Sequence, residues 1–295
     1  MSMQTLSELP ISVVGLVFFE VHVPAGEPPE PGQERFVREI PTALGGAVNT
    51  AAVAHALGHP TRLYFPSGHG LAAAAIRFGM EQLGLPCTTW PSDSTSALSL
   101  VYSTGRDRAF ISAADYESLR ACPELPDHGW IHVAGLAEAE LLRETLEGAR
   151  RRGAKVSVAG SWSPRHLDAL PNQRDRAWDL LVLNHDEAQR AAGKPEEAFE
   201  RLQGAAEDII VTAGRDGAVA QIEGRRVRIE VEPAKIVDAT GAGDAFVAGY
   251  LVARAKGRAP GESLRVAARV ASQQLEVRGG VPRNPQALEA LGAEL

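Results

Sequence analysis

Asp238-Ala239-Thr240-Gly241-Ala242-Gly243-Asp244 runs directly into Ala245-Phe246-Val247-Ala248-Gly249-Tyr250-Leu251. The alternating residues Val227, Ile229 and Val231 before it read as strand, and Ala242 to Lys256 reads as a long apolar helix. The glycines therefore fall at a helix N-terminus, where backbone amides have no intrahelical partner. Gly241 and Gly243 carry no side chain, so a negatively charged group can approach those amides. Asp244 lies in the first turn, beside that position. Amides aimed at an anion, next to a carboxylate able to take a proton, form a layout suited to phosphoryl transfer. The plainer reading is a tight turn with Asp244 tuning the helix dipole. The rest of the chain has to choose between them.

Outward from that stretch, strands and helices alternate. Strands are expected at Ile11 to Val17, Thr61 to Phe65, Trp130 to Ala134, Lys155 to Val158, Asp179 to Leu183 and Asp208 to Thr212. Helices are expected at Thr50 to Leu57, Gly70 to Leu83, Glu138 to Arg151, Ala188 to Ala192, Pro195 to Gln203 and Gly261 to Leu275. Ala218 to Ile222 and Arg225 to Val231 read as a hairpin. Such alternation implies an α/β fold, a mainly parallel sheet with helices on both faces. Two stretches stand outside it: an excursion over 21–44, and a hairpin over 98–112 turning at Gly105. A single domain, 1–295, with these as a small lid over the site is the simplest partition.

Composition narrows the class. The 295 residues carry a net charge of −7, and the basic run Arg150-Arg151-Arg152 reads as a helix end, which disfavours nucleic acid as a partner. No apolar stretch is long enough to span a bilayer, and Met1 to Pro10 lacks the basic and apolar regions of a signal peptide. Cys87 and Cys122 make neither a disulfide framework nor a thiolate metal site. A cytoplasmic protein with no membrane partner is expected.

No dinucleotide fingerprint follows the first strand, and no Gly-x-x-x-x-Gly-Lys-Ser/Thr loop occurs. Four other features remain. Gly45-Gly46, with Asn49 three residues on, would let a hydroxylated ligand lie against backbone, or simply start a helix. Asn184-His185-Asp186-Glu187 ends a strand. Ile209 to Ala218 is a buried strand entering a turn punctuated by Gly214 and Gly217, with Thr212 at the strand end. Glu20 is a carboxylate five residues beyond Gly15.

The opening string resembles the signature Asp-Thr-x-Gly-Ala-Gly-Asp of the ribokinase-like (PfkB-type) carbohydrate kinases, with Ala239 where that family commonly has threonine. The other features fall in the family's order, and the resemblance extends from Gly15 to Pro282. It implies a ribokinase-like three-layer α/β/α core with a mainly parallel sheet and a small β lid. It implies an ATP-dependent kinase acting on a hydroxymethyl group of a sugar or sugar-like substrate, with Asp244 as base and the amides of Gly241, Ala242 and Gly243 as anion hole. Gly45, Gly46, Asn49 and Glu20 would hold the substrate, Glu20 replacing the family's usual aspartate. Asn184, Thr212, Gly214 and Gly217 would meet the nucleotide.

Glu187, with Asn184, would help place Mg2+, which keeps much of its water. Asp238 and the backbone at Thr240 would hold K+. Because Asp244 starts a helix, its pKa is expected to be low. Alternatives within the resemblance are a nucleoside kinase, whose base Phe18, Phe19 or Phe110 would line, and a non-catalytic sugar or nucleotide sensor. A homodimer through the lid is a further expectation.

Overall fold

The computed structural model describes residues 9–24, 29–103, 108–231, 235–277, 279–282 and 285–295. In chain order the elements are β1 (Ile11–Val14), β2 (Val17–Val23), β3 (Thr42–Gly46), α1 (Ala47–Ala56), β4 (Thr61–His69), α2 (Gly70–Leu83), β5 (Cys87–Thr95), β6 (Leu98–Ser103), β7 (Arg108–Ala113), β8 (Trp130–Val133), α3 (Leu136–Leu141), α4 (Arg143–Arg152), β9 (Lys155–Ala159), α5 (Pro164–Ala169), β10 (Trp178–Asn184), α6 (His185–Ala192), α7 (Ala198–Arg201), β11 (Ala206–Thr212), β12 (Ala218–Ile222), β13 (Arg225–Ile229), α8 (Ala242–Ala255), α9 (Pro260–Leu275) and α10 (Pro285–Ala293).

Among the described residues, a nine-stranded sheet has the order β13-β12-β11-β10-β9-β8-β1-β4-β5. From β11 to β5 it is parallel, and β12 and β13 add an antiparallel edge. The period of two along a strand divides its side chains between two cores. Leu180 and Val182 of β10 face one core, with α1, α8 and α9, while Leu181 and Leu183 face the other, with α3, α4 and α6. Both faces are covered, which is why these strands read as unbroken apolar runs.

Helix α8 is apolar nearly all round because it lies between α1 and α9. The approach is close: a Cβ on Gly249 would lie 2.9 Å from Val270 Cγ2.

The second sheet has four strands, β3-β2-β6-β7. The two expected excursions meet here, since β2 pairs antiparallel with β3 and parallel with β6. The turn at Gly105, with Arg106, lies outside the described residues.

Several boundaries differ from expectation: the helix expected over Glu138 to Arg151 is two, α3 and α4, and only Ala198–Arg201 of Pro195 to Gln203 is α-helix. Ile11 to Val17 is not one strand. The chain leaves the large sheet after Val14 and enters the small one at Val17. Gly15 marks the crossing, because a Cβ there would meet Glu138 Oε1 at 2.9 Å. Strand β5 carries polar residues and Pro91, which only an edge position tolerates, so its pattern did not announce a strand. Helix α1 begins at Ala47, so Asn49 lies inside its first turn and faces α8. Among the described residues no helix is long and apolar enough to cross a membrane.

Candidate active site

The loop before α8 is tied down by one carboxylate. Asp238 Oδ1 accepts from the Thr240 amide at 2.9 Å and from the Thr240 hydroxyl, and Oδ2 accepts from the Gly279 amide at 3.0 Å. Gly241 then takes φ +73, the left-handed region where glycine has no rival, and a Cβ there would lie 2.6 Å from Gly280 Cα. Local conformation and tertiary contact therefore demand glycine together. A cavity of 260 Å³ opens at this helix end, lined among others by Gly241, Gly243, Asp244, Asn49, Glu187 and Thr212. Ala242 is not in the lining, and its amide already makes a long 3.4 Å bond to Ala239 O.

Asp244 is held by α1. Asn49 Nδ2 donates to Oδ2 at 3.0 Å, and Thr50 Oγ1 donates to Oδ1 at 3.4 Å. Burial pushes its carboxyl up to about 6; the two hydrogen bonds oppose that shift, and the charge of Glu20 adds to it. This reverses the expectation of a low pKa. The helix end offers only a fraction of a charge, about 0.3–1 kcal/mol at an exposed site. Removing water from a carboxylate costs more than that.

Asn184 and Glu187 do two things at once. Asn184 caps α6: its Oδ1 accepts from the Glu187 amide at 2.8 Å, and Glu187 Oε2 accepts from the Asn184 amide at 2.9 Å. Both residues also line the cavity. Glu187 is buried, and this raises its pKa, with the charges of Asp186 and Asp244 adding to the effect. Gly160 makes room for it, since a Cβ there would be 2.3 Å from Oε2.

The remaining expected residues divide. Gly46 lines the cavity, whereas Gly45 lies beside it with the Glu20 carboxylate over its Cα. Glu20 is buried on β2, 3.4 Å from His22 Nε2, and outside the lining. Thr212 reaches the cavity from the end of β11, its hydroxyl 3.5 Å from Leu183 O. Gly214 and Gly217 shape the turn beyond it at φ +54 and +84, outside the lining. Asp238 and Thr240 brace the loop from behind.

One hydroxyl and one acid were given no role in the sequence reading. Thr50 holds Asp244. Glu138, buried on α3, accepts the Leu16 amide at 2.8 Å, and burial lifts its pKa to about 7. It lines a second cavity of 320 Å³ that shares Gly46, Ala134 and Ser161 with the first. The only sequence signal was position, Gly160-Ser161-Trp162-Ser163 following a parallel strand, where open α/β sheets bind ligands.

With a parallel sheet, a glycine-built helix end and a half-buried acid beside it, the molecule has the architecture of a phosphoryl-transfer enzyme. The chain belongs to the pfkB family of carbohydrate kinases, whose model matches residues 12–287. Arabidopsis thaliana ribokinase is 27% identical over 94% of this chain and 78% of its own. The 2-dehydro-3-deoxygluconokinase of Escherichia coli K12 is 24% identical over 64% of this chain and 68% of its own. The structure of the Arabidopsis ribokinase with ribose and ATP aligns with a TM-score of 0.74 at 21% identity, covering 96% and 98% of the two chains. The nucleoside kinase of Methanocaldococcus jannaschii aligns at 0.77 and 19%, covering 97% and 98%. The fold is ribokinase-like, and the protein is a sugar kinase.

Proposed function

We propose that this chain transfers the γ-phosphoryl group of ATP to a hydroxymethyl group of a sugar or sugar-like acceptor, with Asp244 as the base. The observation carrying this reading is the pairing of Asp244 with the left-handed Gly241 at one helix end, in a cavity that also holds Asn184, Glu187 and Thr212. The acceptor hydroxyl lies against Asp244. As the new O–P bond forms, its proton passes to the carboxylate, and the amides of Gly241 and Gly243 face the charge on the transferred group. A carboxyl near 6 is a stronger base than an ordinary aspartate and is still mostly ionised at neutral pH. Gly45 lets Glu20 pack close, and Glu20 acts on the acceptor side through its charge. Gly214 and Gly217 set the turn that carries Thr212 toward the nucleotide.

Glu187 and Asn184, both in the cavity lining, would be the protein contacts of Mg2+, which retains waters and leans on phosphate oxygens. Bound there, Mg2+ supplies positive charge to the phosphates. Asp238 fits a supporting place for K+: by fixing Thr240 and Gly279 it orders the backbone oxygens a monovalent cation needs. In the same reading the four-stranded sheet is the lid. The exposed Phe110 and Ile111 on β7 give it an apolar surface for a homodimer.

The decisive experiment is Asp244→Asn. Turnover should fall by about 10²–10⁴ with ATP binding retained, the scale of general-base removal. Near-normal turnover would end the assignment and favour a non-catalytic sensor.

A further inference from the structure

At the opposite ends of the strands from the catalytic residues lies another cavity, of 430 Å³. Trp130 and Lys155, the first residues of β8 and β9, line it with Arg176, just before β10, and Tyr250 and Arg254 of α8. Trp130 is only 6% exposed and Tyr250 only 2%, and both rings belong to the apolar core. Among the described residues neither the Trp130 indole N–H nor the Tyr250 hydroxyl has a hydrogen-bond partner, and neither atom is sealed from solvent. The charges acting on the Tyr250 hydroxyl are Arg254, Asp208 and Glu223, all in the lining, so the polar end of the ring faces the cavity. A buried hydroxyl with no partner is costly, and phenylalanine would fill the core as well. The use of this hydroxyl therefore lies in the cavity.

The charged groups around it divide into committed and open. Asp179 and Glu207 are taken by Arg150, at 3.0 and 3.2 Å, and Glu223 pairs with Arg254 at 3.4 Å. Lys155 has no acid within ion-pair distance among the described residues, and its ammonium stands 5.5 Å from the centre of the Trp130 ring. Arg176 donates from Nε to Gln203 O and leaves its two terminal nitrogens open. Its φ of +44 is uncommon for a residue with a Cβ, so the fold and not local preference brings it here. Asp208 is half-buried; its Oδ1 accepts the Glu223 amide at 2.9 Å, and its Oδ2 is open.

The open groups are thus two cations and two neutral donors facing one carboxylate. A simple anion would meet Lys155 and Arg176 but be repelled by Asp208, and a simple amine would meet Asp208 but be repelled by the two cations. A molecule carrying a carboxylate at one end and an ammonium at the other satisfies all three. We infer that this cavity binds a small amino carboxylate, its carboxylate at Lys155 and Arg176 and its ammonium at Asp208 beside the Tyr250 hydroxyl. The site shares no lining residue with the catalytic cavity. Tyr250 follows Asp244 by six residues on α8, about 9 Å along the helix axis.

The test is calorimetric titration of the full chain, without ATP, with glycine, 3-aminopropionate, 4-aminobutyrate and 6-aminohexanoate as rulers of the distance between the two charges. One length should bind saturably, roughly tenfold or more tighter than butyrate, butylamine or inorganic phosphate, the scale of one hydrogen bond to a charged group. Tyr250→Phe keeps the ring in the core and removes only the hydroxyl; it should weaken that ligand about three- to tenfold, and Lys155→Met about tenfold. Asp244→Asn should bind it as the parent does.

No saturable binding by any of the four, equal affinity for phosphate or a singly charged probe, or parent-like affinity in either cavity variant would overturn the inference. So would loss of binding in Asp244→Asn, which would put the ligand in the catalytic cavity. Lys155 is exposed, so Lys155→Met decides alone if Tyr250→Phe does not fold. The kinase reading is untouched by either result.

Discussion

The two adjoining cavities are built on different principles. The one at Asp244 is made where helix α8 begins and β10 and β11 end, so glycine backbone and the polar side chains of Asn49, Asn184, Glu187, Thr212 and Asp244 line it beside Val182, Leu183 and Val247. The one at Trp162 is made by aromatic side chains from three segments distant in sequence. The first is suited to charge that appears during reaction, the second to surface that stays the same from binding to release. Interactions that strengthen only in the transition state raise turnover, whereas uniform binding lowers KM. Substitutions in the first cavity should therefore act on kcat and those in the second on KM.

Asp244→Asn tests that division with the largest effect, the loss of turnover of about 10²–10⁴ described above. If its loss appeared in KM alone, the division would fail.

Gly241→Ala comes next. The left-handed φ of +73 and the 2.6 Å approach to Gly280 force the loop to move. Turnover should drop by about 10²–10³, as for loss of an anion-hole donor, and stability by about 1–3 kcal/mol. Single-turnover rates and thermal unfolding measure the two separately.

The pH dependence sharpens the comparison. In the role proposed for it, Asp244 must be ionised to accept the proton, so kcat/KM should rise with pH through a midpoint near 6. Stability should move oppositely. Asp244 and Glu138 have folded pKa values of about 6 and about 7, raised from 3.8 and 4.5, so the native state binds more protons than the unfolded chain between those limits. Stability is thus full below about pH 4 and declines as pH rises through 6 to 7. Asp244→Asn should remove part of that decline, on the order of 2 kcal/mol at pH 8, as judged by denaturant unfolding across pH.

Thr50→Val is the smallest effect. It deletes a 3.4 Å hydrogen bond that favours the ionised Asp244. The apparent midpoint should rise and turnover at pH 6 should fall roughly two- to fivefold, with Thr50→Ser restoring it. A pH profile unchanged in Thr50→Val would show that Asn49 alone holds the base.

Most of the candidate catalytic cavity was legible in the chain because its requirements are local. A left-handed glycine, a helix N-terminus and a capping pair such as Asn184 and Glu187 each occupy a few consecutive residues. The partners of Asp244 were less so. Asn49 was assigned to the acceptor, yet it reaches Asp244 because α1 starts three residues earlier than its pattern implied. The low pKa expected for Asp244 failed for the same kind of reason. The helix dipole is visible in a sequence, but the burial that outweighs it comes from how α1 and α8 pack.

The chain alone determined the alternation that makes a parallel sheet, the glycine-built helix end proposed to receive an anion and the acid beside it, because periodicity and turn conformation are properties of neighbouring residues. Only the tertiary structure decided the proton affinity of Asp244 and the meeting of Phe18, Tyr116, Trp162 and Glu138 around one space. Desolvation and shape depend on which distant segments close over a site, and no local pattern encodes that.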